Sequence, residues 1–202
     1  MKFFKKNSYD IIKLYINQIG ITIFTMIMYT AGGMINTGED SGVSLPVRLG
    51  ISVFSTLFFF VLIYMAAWDL GAKDNIRYES GKIPRDNFKG LKMSLFANSI
   101  NFFLIGMILI FATVFILTEM EWASSVFGIL DMTLRFSASM YIGIIQWAFS
   151  AVSLSPTVLH LIQACAFLVM AFISVLVTHW GYRFGLDERK LFSFKKSNKS
   201  SK

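Results

Sequence analysis

The chain has 202 residues, of which 55% are hydrophobic and only 15% charged, with 21 Phe and 11 Met, and its mean hydropathy is +0.60. That composition excludes an ordinary soluble globular domain, which could not bury so much apolar surface. The net charge of +7 points away from nucleic acid once the cations are placed: 17 of the 19 Lys and Arg fall in three patches flanking apolar runs, where membrane topology and anionic headgroups account for them.

In chain order, Lys2, Lys5, Lys6 and Lys13 form the first basic patch. The apolar stretch behind it, 14–35, is longer than the roughly 7 to 15 residues of a signal-peptide core, so it reads as an uncleaved first span ending at Gly32-Gly33. Pro46 opens a second span, 47–68, closed by the interface-type residue Trp68. The segment 69–92 reads as a loop, with Gly71, Gly81 and Gly90 as breaks and Pro84 excluding a continuous helix. A third span covers 95–117 and stops at Glu119 and Glu121. Ser155-Pro156 starts the fourth, 158–180, with Ser as N-cap and Pro at the first helical position, and Trp180 and Tyr182 close it at headgroup level. The residues 193–202 read as a basic flexible tail.

A fifth apolar stretch, 136–154, would place the basic tail from Arg183 onward on the outer side if it crossed. Four crossings instead leave 17 Lys and Arg with seven acids inside, and only Arg48 and Arg135 with five acids outside. The positive-inside rule favours that arrangement. The expected fold is therefore an all-α, polytopic membrane bundle of four spans, five being the alternative. Both termini are inside, and 120–155 is an outer membrane-associated segment with a short helix at 122–135.

Two span starts resemble each other, LYINQIG at 14–20 and LFANSIN at 95–101, and so do two span ends, WDLGAKD at 68–74 and WGYRFGLD at 180–187. A duplicated two-helix hairpin, parallel in the membrane, accounts for both pairs. Coincidence in low-complexity membrane sequence is the competing reading.

Few residues invite chemistry. Asn17 with Gln18, and Asn98 with Ser99 and Asn101, stand near the inner starts of the first and third spans. Such amides face a bundle interior, either as interhelical glue, the preferred reading, or as a polar vestibule for a solute. Asp131 and Arg135 sit at i, i+4 in the favourable acid-first order, which makes them a structural clasp. His160 and His179 lie on one span about 28 Å apart, too far to share a metal. The lone Cys165 gives no disulfide framework, and no metalloprotease, P-loop or nucleophile-elbow motif is present, so no catalytic residue, metal or cofactor is expected.

The segment 69–92 carries six bases interleaved with four acids, more than orientation requires. A folded elbow is expected there, offering Lys73, Arg77, Tyr78, Arg85 and Lys89 to a protein partner or to lipid headgroups.

WDLGAKDNIR at 68–77, FKGLKMSLFANSINF at 88–102 and GYRFGLDERKLF at 181–192 together resemble uncharacterised small integral membrane proteins of Gram-positive bacteria. The resemblance implies a bacterial plasma membrane and no particular activity. The expected role is a non-enzymatic membrane subunit or accessory protein, working in the lipid bilayer with a protein partner or as a homo-oligomer. A small-solute permease or substrate-binding component is the alternative, and an intramembrane enzyme stands third.

Overall fold

The structure is a computed structural model that describes residues 2–35 and 43–187. The tail 193–202 and most of the polar loop after the first span lie outside them. The described residues are all-α: α1 (Lys2–Ile35), α2 (Leu45–Glu79), α3 (Lys89–Ala97), α4 (Ser99–Thr118), α5 (Glu121–Ser137), α6 (Ile142–Ala148) and α7 (Pro156–Leu186), with a single 3-10 turn, Ser139–Tyr141, between α5 and α6. Four helices, including α4, are long and apolar enough to cross a membrane, and only 22–39% of each apolar window is buried within the protein. The remainder of those windows needs hydrocarbon around it, so the chain is a multi-pass membrane protein.

Several boundaries differ from the sequence expectation. Gly32 and Gly33 do not end α1, which continues to Ile35. The second span does not stop at Trp68: α2 runs three further turns, to Glu79, and α3 begins at Lys89, so only 80–88 of the expected 69–92 loop is irregular. Gly71 and Gly90 lie inside helices, and Gly81 alone of the three sits in a turn, with a φ of 71°. The third span is broken at Asn98 (φ −90°, ψ 3°), whose side-chain amide donates to the Ser94 carbonyl at 3.0 Å and competes with the helix ladder. Ser155 and Pro156 open α7 as expected, although the Ser155 side chain makes no capping bond.

The central feature is the parallel crossing of α2 and α7. A Cβ on Gly71 would strike the Tyr182 carbonyl and the Leu186 amide, and a Cβ on Gly185 would strike the Trp68 carbonyl and the Ala72 amide. Gly181 meets the Tyr64 backbone in the same way. Ala67-xxx-Gly71 and Gly181-xxx-Gly185 thus form a small-xxx-small contact that lets the two backbones touch, the usual solution where lipid removes the hydrophobic drive for helix association. The crossing places Gly185, not Trp180, opposite Trp68, five residues away from the register in which the span ends resemble each other. Parallel packing also joins α1 to α3 through Ile11 and Leu14 against Met93 and Ala97. Both pairings agree with the parallel geometry that a duplicated hairpin requires.

Between α5 and α6 the chain bends by 81°. The bend lies near mid-span, where Thr22 donates to the Ser137 carbonyl at 2.9 Å and Thr56 to the Met140 carbonyl at 3.1 Å. The chain then turns back. The Gly143 amide donates to Ser52 Oγ at 2.7 Å, and Gln146 accepts from Arg48 Nη1 at 3.3 Å near the start of α2. α5 begins at the end of the bundle where α2 and α7 begin, and α6 returns there, so this geometry is a re-entrant hairpin and not a fifth crossing. Carbonyls freed by the bend lie at membrane depth, and hydroxyls of α1 and α2 satisfy them where lipid cannot.

Candidate functional site

The bundle has a basic end, formed by the start of α1, the end of α2, the elbow 80–88, α3 and the end of α7. Its far end carries α5 and α6. Among the described residues, each end holds one buried carboxylate.

At the basic end that carboxylate is Asp74, with 3% of its side chain exposed. Lys89 Nζ lies 2.6 Å away, the Tyr182 hydroxyl donates to it at 3.0 Å, and Arg77 approaches to 3.7 Å. The helical extension of α2 beyond Trp68 brings Asp74 to this depth. Close packing at Gly71 and Gly90 brings Tyr182 and Lys89 to it: the Gly90 Cα sits against the Tyr182 ring, where a Cβ would collide. Tyr182 is consequently buried to 1% inside the bundle.

The elbow is folded against the same framework. Arg85 pairs with Asp187 of α7, donates to Asn87 at 3.1 Å and lies 5.9 Å above the Tyr78 ring. Lys92 pairs with Asp86 at 3.0 Å, and Asp86 also accepts the Phe88 amide at 3.0 Å. Phe88 stacks on His179 with ring centroids 6.0 Å apart. Lys73 pairs with Asp69 at 2.6 Å on an exposed face. Of the five residues expected to meet a partner or headgroups, Lys89 is committed to Asp74, Lys73 and Arg85 hold ion pairs, and Tyr78 lies under Arg85. Arg77 remains 63% exposed.

At the far end Asp131 accepts from Arg135 Nε at 2.7 Å, the pair that the i, i+4 spacing implies. It is not an isolated clasp. His160 Nδ1 lies 2.9 Å from the same Asp131 oxygen, and Arg135 Nη2 donates to Gln163 Oε1 at 2.5 Å, so the cluster pins α5 to α7. No spacing within one helix announces this cross-helix link.

Two of the amides are bonded across elements. Asn98 accepts from Ser174 Oγ at 3.5 Å across to α7, and Asn101 accepts from Ser137 Oγ at 3.4 Å at the hairpin bend. Gln18 is buried, Asn17 is half-buried and Ser99 bonds only to the Phe96 carbonyl. Asn98 and Asn101 act as interhelical ties. Among the described residues no three His, Cys, Asp or Glu gather in a metal-holding group. A cleft of about 200 Å³ does open at the basic end, lined by residues of α1, α2, the elbow, α3 and α7. No protein-family model, curated protein or solved structure matches the chain.

Proposed function

We propose that the chain is a non-enzymatic subunit or accessory protein of a bacterial plasma membrane, with its basic end and both termini cytoplasmic, and that it works by docking a partner on the elbow. The reading rests on one observation. Asp74 commits its buried charge to holding α2, α3 and α7 together, while beside it Ile76 and Phe88 stay 66% and 60% exposed, beyond the apolar spans. A rigid mount carrying apolar and cationic side chains is suited to a partner that offers apolar side chains among acids. The positive-inside bias supports the cytoplasmic assignment, and the bacterial setting follows from the resemblance of 68–77, 88–102 and 181–192.

The packed amides favour this role over a small-solute permease, because Asn98 and Asn101 are already bonded across helices. The test is the size of the complex extracted from native membranes in mild detergent. The wild-type chain is expected to run with a partner, and the double variant Ile76→Lys, Phe88→Asp to run alone. An unchanged complex in the double variant removes the elbow from docking.

A further inference from the structure

The cleft at the basic end has a volume of about 200 Å³, against the roughly 10–15 Å³ that one water needs. Its lining is charge-balanced, with Arg77, Arg85 and Lys89 facing it together with Asp10, Asp74 and Asp86. Most of these charges are already matched: Lys89 with Asp74, Arg85 with Asp187, and Asp86 with Lys92. Two are held loosely or not at all. Arg77 reaches only Asp74, at 3.7 Å and behind the closer Lys89, and Asp10 makes no ion pair within 4.0 Å among the described residues. One cation and one anion thus face the same cavity without a close partner, and both are reachable, because Asp10 is only partly buried and Arg77 is exposed.

A simple anion would leave Asp10 opposing it, and a simple cation would leave Arg77 opposing it. A molecule carrying both charges satisfies each. The guanidinium fork of Arg77 suits a phosphate oxygen pair, and a compact ammonium suits the Asp10 carboxylate. From these placements we propose that the cleft is a binding site for a small zwitterion that joins a phosphate to an ammonium, as in phosphoethanolamine. Either a free metabolite of this class or a phospholipid headgroup supplies that chemistry. The site is distinct from partner docking, which is read out through exposed Ile76 at the end of α2 and Phe88 of the elbow.

The test uses the full chain in nanodiscs of phosphatidylglycerol, with thermal unfolding as the readout. Phosphoethanolamine is added free in one arm, and phosphatidylethanolamine replaces part of the lipid in the other. Inorganic phosphate and ethanolamine serve as separate controls. A saturable rise in Tm with the free compound, weakened at least tenfold in apparent affinity by Arg77→Gln and by Asp10→Asn, assigns the site to a soluble zwitterion. A rise with the lipid alone, lost in both variants, assigns it to the headgroup. Either variant is expected to unfold near the wild-type Tm without ligand, since neither residue holds a close ion pair. No rise in either arm, equal rises in the variants, or equal stabilisation by phosphate alone overturns the proposal.

Discussion

The two buried carboxylates make an instructive pair. Asp74 is held across helices, by Lys89 of α3 and Tyr182 of α7, with its own neighbour Arg77 farther off at 3.7 Å. Asp131 is held by Arg135 from its own helix and by His160 from α7, whose side chain is 38% exposed. The first is a keystone around which separate segments are assembled. The second is a local pair, formed within α5 and then borrowed to fasten the hairpin. The difference follows from the surroundings: the crossing at Gly71 and Gly185 forces helices together at the basic end, whereas α5 reaches α7 only through long side chains. A buried charge gains most where it closes several segments at once and its remaining lone pairs are satisfied.

Variants can break this contrast, and the crossing itself comes first. Gly185→Val drives a side chain into the Trp68 backbone, which cannot rotate away. The loss should exceed the ~1–3 kcal/mol of ordinary overpacking, seen as a collapse of the monodisperse fraction in detergent. Asp74→Ala should follow, at about 3–5 kcal/mol, because it leaves a buried ammonium and a buried hydroxyl without their acceptor. Thermal unfolding of Asp131→Ala should show a smaller loss, about 1–3 kcal/mol, since Gln163 still accepts from Arg135 and His160 is partly exposed. If Asp131→Ala proves the costlier of the two, the keystone and the clasp have been assigned the wrong way round. Thr56→Val, which removes one tie to the hairpin bend, is expected to cost roughly 0.6–1.7 kcal/mol. Lys73→Ala should leave the unfolding curve unchanged, because its pair with Asp69 lies on an exposed face.

What could be read in advance divides along similar lines. Span positions, the Pro156 start, the helix near 122–135 and the Asp131–Arg135 pair all depend on local pattern or on hydropathy, and the chain displays them directly. Asp74 could not be singled out, because Tyr182 lies 108 residues away and nothing in 69–92 separates this acid from Asp69, Glu79 or Asp86. Gly71 was misread for a physical reason. Glycine punctuates loops in water, but in a membrane helix the same missing Cβ permits backbone contact, and only the partner helix decides between the two. That the Tyr182 hydroxyl turns into the bundle to meet a carboxylate is likewise something hydropathy does not register. The cleft is lined from five separate segments, so no single stretch of sequence carries it.

Everything at the basic end depends on the hairpin returning to the face it entered, since that return keeps the ends of α2 and α7 and the elbow on one side. Thiol labelling with a membrane-impermeant maleimide in intact cells tests this directly, in a Cys165→Ala background with Ser150→Cys just beyond α6 and Lys82→Cys in the elbow. The account predicts that Ser150→Cys is labelled from outside and Lys82→Cys only after the membrane is opened. Labelling of both positions under the same condition would contradict it.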